Sequence, residues 1–401
     1  MESAQKAEIA AWVAAAGLDG MAELDLLRGF CERVIAAGVP LCRAMVIADT
    51  LHPVFEGRLF RWERDPSDAA ALVEYERTGQ DQARQESWRR STFYHLLETG
   101  ETELRRCLAR GDPADFAMIE DLRQLGHTDY LALVARFASE GVIGELDCIF
   151  SSWGTDAPDG FTDAQVASLR RLFPTLALAI KCGSLARIAG TLAETYLGRA
   201  AGRQVLAGRI ERGVAEKLRT VLWYSDLRGF TGITDTAAPG QIIPLLNDYA
   251  EAVITAIHEA GGDVLKLIGD GTLAIFEASD PAEACRCALR AKALAAERSA
   301  AVSARRTEAG LPVTQAYLGL HVGEVLFGNI GSPERLDFTV VGPAVNEVAR
   351  IAAMCRSAER KVLLSTAFHD AATPEDRERL VSVGRYALRG VGRAQELFTV
   401  L

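Results

Sequence analysis

Two aspartates in short glycine-containing motifs are the residues of this chain best suited to chemistry. Asp226 lies in the segment Trp223–Thr231, and Asp270 lies in the segment Lys266–Gly271. Each carboxylate follows a strand-like apolar run, so the two would meet if their strands were neighbours. Carboxylates supply the hard oxygen ligands that magnesium and manganese prefer, and two such ions hold both ends of a phosphoryl displacement. The pair therefore predicts a divalent-metal site that serves a phosphorylated substrate.

A purely structural reading of the second motif stays open at this point. The dipeptide Asp270-Gly271 lies between two apolar runs, which is a strong hairpin signal by itself. Lys266 lies in the apolar run before that turn, where burial of an ammonium group is unfavourable without a partner. The alternative is a lysine on an edge strand whose charged end reaches solvent.

A short loop after Asp226 is a candidate binding segment for a triphosphate. Gly229 allows backbone amides to approach an anion closely, and Phe230 and Thr231 follow it at the start of a predicted helix. Aspartate and glycine are also ordinary turn residues, so an exposed acidic turn is the competing interpretation of this loop.

A third cluster lies in the segment Phe338–Arg350, which reads as a strand followed by a helix. Pro343 suits the first position of that helix. Asn346 and Arg350 are four residues apart, so they share one helix face. Such a pair suits a ribose and a phosphoryl group, because arginine stabilises charge that develops on phosphoryl oxygens. A surface arginine paired with Glu347 is the structural alternative.

The elements that must position these residues form an α+β domain in the C-terminal half. The pattern predicts helices separated by strand hairpins, and hence a ferredoxin-like βαββαβ sandwich with one mostly antiparallel sheet and its helices on one face. The predicted strands are 218–224, 263–268, 272–276, 315–326, 338–341, 361–365, 382–388 and 396–400, and the predicted helices are 240–260, 281–306 and 344–355.

The N-terminal half reads as a second α+β domain. The pattern predicts a helix over 22–37, strands over 42–50 and 58–63, an irregular helical stretch over 84–110, and an antiparallel pair at 130–137 and 144–151. A long helix then begins at Ala164 after a cap at Thr162 or Asp163, and we expect it to break near Pro174.

Composition narrows the class of protein. The 401 residues carry a formal net charge of -10, which argues against a nucleic-acid binder with a basic footprint. Eight cysteines without paired zinc spacing favour reduced thiols and a cytoplasmic location. The N-terminus lacks the pattern of a secretory signal, and no uncharged apolar run has the length of about 18 residues that a membrane span needs.

The three clusters together resemble the catalytic domain of class III nucleotidyl cyclases over roughly residues 200–401. The resemblance implies that two Mg2+ or Mn2+ ions per active site assist the attack of a ribose 3′-hydroxyl on the α-phosphorus, with pyrophosphate leaving. It also implies roles for six residues by position. They are Asp226 and Asp270 as metal ligands, Lys266 and Thr339 as purine-reading residues, Asn346 as the ribose-orienting residue, and Arg350 as the transition-state arginine.

The purine-reading pair favours ATP. Lys266 can donate to adenine N1 and Thr339 can accept from the 6-amino group, whereas guanine presents the opposite pattern. Thr339 stands where many members have aspartate, which resembles the threonine-bearing adenylyl cyclases, some of which respond to bicarbonate. A guanylate cyclase and a catalytically silent nucleotide-binding sensor remain the alternatives.

The resemblance further implies a homodimer. In the family, one protomer supplies the metal aspartates and the other supplies the remaining four side chains, so a head-to-tail dimer would hold two equivalent sites. Arg389, in the segment Leu388–Gly392, is a candidate contact to the triphosphate.

Three parts are expected along the chain. Residues 1–182 would form a regulatory domain, residues 183–215 a helical connector and residues 216–401 the catalytic domain. Residues 130–180 resemble the second half of a GAF-type sensor, with two strands, the turn Gly160-Phe161-Thr162 and a long exit helix. A small-molecule regulator of that domain is therefore expected.

Overall fold

The computed structural model describes residues 1–65, 70–77, 82–137, 143–144, 146–277, 279–388 and 394–401. It divides the chain into two compact units, Met1–Leu192 (unit 1) and Ala193–Leu401 (unit 2).

Unit 1 is built on a six-stranded antiparallel sheet with the order β3-β2-β1-β6-β5-β4. Its strands are β1 (Arg43–Asp49), β2 (Phe55–Glu63), β3 (Leu72–Glu76), β4 (Glu103–Arg106), β5 (Asp129–Arg136) and β6 (Cys148–Thr155). Its helices are α1 (Ser3–Leu18), α2 (Glu23–Ala36), α3 (Gln82–Arg89), α4 (Thr92–Thr99), α5 (Ala117–Gln124) and α6 (Asp163–Leu197), the last of which extends into unit 2.

Both faces of this sheet are covered. One face packs on α1, α2 and α6 around Phe30, Trp153 and Leu176. The other face packs on α4 and α5 around Phe93 and Phe150. Neighbouring residues of the central strands therefore point into two separate cores, as the alternation of side chains along a strand requires.

The sequence predictions for unit 1 are confirmed for most elements and wrong for two. The helix over 22–37 and the antiparallel pair β5–β6 are present. Thr162 caps α6, since its hydroxyl accepts from Gln165 N. The predicted helical stretch over 84–110 is helical as α3 and α4 up to Thr99, but it then contains β4, whose Leu104 enters the core. Helix α6 continues through Pro174 without a break.

Helix α6 is also long and apolar enough to cross a membrane, by length and composition only. The same test is met by core helices, and α6 places Leu169, Leu172 and Ile180 in the core of unit 1.

Unit 2 contains an eight-stranded sheet with the order β13-β14-β12-β10-β7-β9-β8, and β11 pairs with β10. The strands are β7 (Ala215–Leu227), β8 (Asp263–Ile268), β9 (Gly271–Phe276), β10 (Ala316–Ser332), β11 (Arg335–Val341), β12 (Val362–Ser365), β13 (Leu380–Tyr386) and β14 (Gln395–Val400). The helices are α7 (Arg199–Leu206), α8 (Phe230–Thr236), α9 (Pro239–Glu259), α10 (Pro281–Glu308), α11 (Pro343–Met354), α12 (Thr366–Ala371) and α13 (Pro374–Glu378).

The predicted βαββαβ core is confirmed. Strands β10, β7, β9 and β8 are neighbours in that order and pair antiparallel, with α9 and α10 as the two crossover helices. Pro343 begins α11, as the sequence indicated.

The expectation that all helices lie on one face of the sheet is wrong. Trp223 packs against α9 and α10, while its neighbour Leu222 packs against α7 and α11. The sequence held the signal, because Val221, Leu222 and Trp223 are consecutive apolar residues and all three are buried. A continuous apolar run in a strand is typical of a sheet covered on both faces.

Candidate active site

The structure brings Asp226 and Asp270 together at one end of the sheet. Asp226 is the penultimate residue of β7, and Asp270 lies in the two-residue turn that joins β8 to β9. Strand β9 pairs with β7 through Ser225 and Thr272, which places the turn beside the end of β7. The backbone N–H of Leu227 donates to Asp270 Oδ2 at 3.3 Å and fixes this arrangement.

The turn itself differs in detail from the sequence interpretation. Gly269 and Asp270 form the turn, and Gly271 already pairs with Ile268 as the first residue of β9. Gly269 adopts a φ of 62°, a conformation that glycine tolerates and most other residues resist. The hairpin that the Asp-Gly dipeptide indicated is present, and its positive φ lies at the glycine that precedes the aspartate.

The electrostatics of the pair show two acids held close together. The pKa of Asp226 is raised to about 6, mainly by partial burial and also by a hydrogen bond to Asp270 and the charge of that carboxyl. Two carboxylates that share a site resist simultaneous ionisation. A bound divalent cation would remove that repulsion, so this geometry fits a metal site.

The donor set also fits a hard cation that is shared with a substrate. Two carboxylates are the number that Mg2+ often takes from a protein when phosphate oxygens and water complete its octahedron. The described residues contain no group of three or more His, Cys, Asp or Glu side chains with metal-binding geometry, so the remaining ligands would come from outside the side chains of one chain.

A cavity of about 170 Å3 adjoins the carboxylates. Its walls come from β7, α9 and the β8–β9 turn, and they include Asp226, Asn247, Leu267 and Asp270. Gly229, the N-cap of α8, has a φ of 69°, which allows the chain to turn sharply after β7. Phe230 packs on a small core beside Tyr249, while Thr231 is exposed.

Lys266 has a partner that the sequence did not reveal. Its ammonium forms an ion pair with Asp337 on β11, and both side chains are about 40% exposed, at 42% and 43%. Strand β8 is an edge strand. Lys266 therefore lies on an edge strand, and its ammonium also has a charged partner, so the two interpretations of Lys266 from the sequence both hold. Asp337 precedes Thr339 by two residues, and therefore the two side chains share one side of β11.

Asn346 and Arg350 lie on α11, on the side that does not enter the core. Ala344, Val348 and Ile351 of the same helix are buried, while Asn346 is exposed and Arg350 is half-buried. Among the described residues, none forms an ion pair with Arg350. Glu347, the partner that the structural alternative proposed, instead accepts from Gln395.

The six predicted site residues thus fall into two groups within one chain. Asp226 and Asp270 line the 170 Å3 cavity, whereas none of Lys266, Thr339, Asn346 and Arg350 is among its lining residues. Arg389 lies outside the described residues.

Asp337 is the residue that sequence reasoning missed. A possible signal was its position two residues before Thr339 in a predicted strand, which puts a carboxylate beside a proposed base-reading side chain. The partner strand could not be inferred, because the contact joins residues 71 positions apart.

Comparisons with known proteins find relatives of the part of the chain that carries this site. Residues 215–400 match the family model described as the adenylate and guanylate cyclase catalytic domain. An uncharacterized protein of Mycobacterium tuberculosis is 35% identical over 198 residues, which are 48% of this chain and 35% of that protein. The adenylate cyclase of Anabaena cylindrica is 33% identical over 160 residues, or 39% of this chain and 31% of that protein.

The chain thus spans about a third of the length of these relatives, 35% and 31%. A solved structure, the adenylyl cyclase CyaB from P. aeruginosa, aligns with a TM-score of 0.43 and 19% identity over 47% of this chain and 96% of that chain. The family match identifies residues 215–400 as a catalytic domain of the adenylate and guanylate cyclase family.

Proposed function

We propose that the protein is an adenylate cyclase that converts ATP to 3′,5′-cyclic AMP and pyrophosphate. The observation that carries this proposal is the close approach of Asp226 and Asp270, whose carboxyl groups are within hydrogen-bond reach of each other at the end of β7. The family match of residues 215–400 supports the same reaction class, and adenylate cyclases are among the relatives of this segment.

Each side chain has a defined task in this reaction. Asp226 and Asp270 would hold two Mg2+ or Mn2+ ions, which would supply Lewis-acid chemistry to a phosphorylated substrate when bound. Asn346 orients the ribose, and Arg350 stabilises negative charge on the α-phosphoryl oxygens. The 3′-oxygen forms a bond to the α-phosphorus, the bond to the β-phosphate oxygen breaks, pyrophosphate leaves, and the 3′-hydroxyl proton passes to water.

Base selection favours adenine over guanine. Lys266 donates to adenine N1, and Thr339 accepts from the 6-amino group. Asp337 supports this role, because its ion pair holds the Lys266 ammonium on the side of β11 that carries Thr339. We expect Arg389 and the Gly229–Thr231 segment to contact the triphosphate.

We also propose that the site is completed by a second copy of the chain. The cavity that Asp226 and Asp270 line includes none of the other four side chains of the same protomer, which supports this arrangement. So does a set of exposed apolar side chains on β8, β10 and β11, since exposed apolar patches typically mark interfaces. They are Leu267, Ile268, Leu326, Ile330 and Val341, which are 40% to 53% exposed.

Unit 1 is proposed to be a GAF-like regulatory domain that responds to a small molecule. Its two-sided antiparallel sheet and the long helix α6 that leaves it support this role. We place the protein in the cytoplasm, where ATP is available and where the eight free cysteines would remain reduced.

A product assay tests the reaction. Purified full-length protein is incubated with ATP or GTP in the presence of Mn2+, and both cyclic nucleotides are measured. We expect cyclic AMP as the main product, and Asp226→Ala should abolish it. Cyclic GMP as the main product would favour the guanylate cyclase alternative, and binding of ATP without any product would favour a silent sensor.

A further inference from the structure

A second cavity in unit 2 lies behind the strand that carries Asp226. It has a volume of about 630 Å3 and opens between α10 and strands β7, β10, β12 and β14. We call it the α10 cleft, and its principal lining residues are Trp223, Lys292, Ala296, Leu318, Arg360 and Lys361.

The inner wall of the α10 cleft is apolar. Trp223, Val253 and Leu318 are 1%, 5% and 5% exposed, yet each contributes to the lining. The volume falls within the range of roughly 300–1,000 Å3 that is typical of small-molecule sites. The cleft therefore has the room and the wall chemistry to take an apolar body.

The rim of the α10 cleft is cationic. Lys292, Arg360 and Lys361 all line it, and among the described residues no carboxylate lies within ion-pair distance of any of them. Burial lowers the pKa of Lys292, and the charge of Arg379 lowers it further. Arg360 Nη1 donates only to the backbone carbonyl of Glu359 at 3.1 Å. Three cations that lack a carboxylate partner among the described residues, in a chain of net charge -10, form a local site for an anion.

One acid lines the same rim, in an unusual backbone conformation. Glu359 has a φ of 52°, which is uncommon for a residue other than glycine. Such strained positions cluster at ligand sites. The turn at Glu359 sets the next two residues, Arg360 and Lys361, at the mouth of the cleft.

We propose that the α10 cleft binds an amphiphilic small-molecule anion. A carboxylate or phosphate head contacts Lys292, Arg360 and Lys361, and an apolar body of about ten carbons lies against Trp223 and Leu318.

Occupancy of the cleft is transmitted to the aspartate pair through β7. Ser225 and Ala316 line both the α10 cleft and the 170 Å3 cavity. The indole Nε1 of Trp223 donates to Ser225 Oγ at 3.0 Å, and Asp226 is the next residue. Regulation of turnover by this ligand rests on the proposed function, whereas binding itself does not.

Calorimetry on the full-length protein, without ATP or metal, tests the binding. Decanoate and decyl phosphate are the probes. Decanol, which lacks the anionic head, and inorganic phosphate, which lacks the apolar body, are the half-probes. We expect both amphiphiles to bind with a stoichiometry of one per chain, and each half-probe to bind at least about tenfold more weakly. Equal binding of decanol or of inorganic phosphate would overturn the proposal.

Two variants with matched controls on α10 locate the site. Lys292→Met removes one rim cation, and Ala296→Phe fills the cleft from an exposed helix position. Each should weaken decanoate binding by about tenfold or more. The controls Arg286→Met and Ala301→Phe alter residues of the same helix that do not line the cleft and should bind as the wild type. Unchanged binding in both cleft variants would overturn the assignment.

A vesicle-binding experiment distinguishes a free small-molecule ligand from a membrane lipid. Phosphatidylglycerol vesicles present an anionic head with acyl chains already buried, so the wild type and Ala296→Phe should show equal, weak association with them. Vesicle binding that is lost in Ala296→Phe, without binding of monomeric decanoate, would contradict a soluble ligand.

Discussion

Asp226 holds its proton more tightly than an ordinary aspartate, and this affects the stability of the metal-free protein. Its pKa is about 6 in the folded state, against 3.8 for an ordinary aspartate. Between these values the folded protein binds a proton that the unfolded chain has released. Protonation of Asp226 therefore stabilises the folded state. This contribution is fully present below pH 3.8 and is lost as the pH rises through 6.

Asp226→Asn should therefore stabilise the metal-free protein at pH 8 more than at pH 5. Because the side chain is half-exposed, we expect the stabilisation at pH 8 to exceed that at pH 5 by about 1 kcal/mol in unfolding free energy, or roughly 2–4 °C in Tm. Thermal unfolding in a chelator measures the difference, with the exposed Asp235→Asn as the control. A stabilisation that is larger at pH 5 than at pH 8 would contradict the coupled-carboxylate account.

Asp337 gives a second prediction at this scale. Asp337→Asn removes the partner of Lys266 and leaves the ammonium free to move. The ion pair is exposed, so unfolding should change by less than about 1 kcal/mol, while the preference for ATP over GTP in kcat/KM should fall by up to about fivefold. Glu324→Gln, which removes the exposed ion pair with Lys217, is the control. An equal fall in both variants would show that Asp337 has no specific role.

The residues of the site could be predicted from the sequence to different degrees. Asp226 and Asp270 stood out because each follows an apolar strand and lies beside a glycine. Asp337 did not, since its contact with Lys266 depends on which strands lie near each other in space. Residue types reveal the groups that can do chemistry, and only the fold reveals which of them touch.

Helix α11 carries Asn346 and Arg350, and its backbone approaches the sheet closely at Gly319. A Cβ at Gly319 on β10 would lie 2.6 Å from Val348 O and 2.7 Å from Ala352 N. Both contacts are to the backbone of α11, so the helix must move if the side chain grows.

Gly319→Ala should displace α11 and lower both stability and turnover. We expect a loss of about 1–3 kcal/mol in unfolding free energy and a decrease in kcat that exceeds any change in KM. Gly240→Ala serves as the control, because a Cβ there meets nothing within 4 Å. Wild-type kcat in a stably folded Gly319→Ala protein would show that the position of α11 does not matter for catalysis.

At the scale of elements, periodicity located the strands and helices of unit 2 but not the faces they cover. The βαββαβ order follows from alternating runs of apolar residues, and it was confirmed. The placement of α7 and α11 on the second face was missed, although the continuous burial of Val221, Leu222 and Trp223 indicates it. The short strand β4 was missed because its charged sequence, Glu103–Arg106, resembles a helix surface.

At the scale of the whole molecule, unit 1 should influence the rate of the cyclase domain. Asp129 is fully buried in unit 1, where it accepts from Arg105 and from the backbone of Phe161. Asp129→Ala leaves Arg105 without its buried partner and should destabilise unit 1 by about 3–5 kcal/mol. A change in cyclic AMP formation should accompany the loss of unit 1 structure. An unchanged rate with unit 1 unfolded would argue against regulation.

The central proposal is that each active site takes residues from two copies of the chain, and mixing two inactive variants tests it most directly. Asp226→Ala and Arg350→Ala each damage a different half of the site, so a mixed dimer retains one intact site of two. Random pairing should restore about a quarter of wild-type cyclic AMP formation. A mixture of Asp226→Ala with Asp270→Ala, which damage the same half, should stay inactive. Failure of the first mixture to recover activity, with dimers present, would contradict a site shared between protomers.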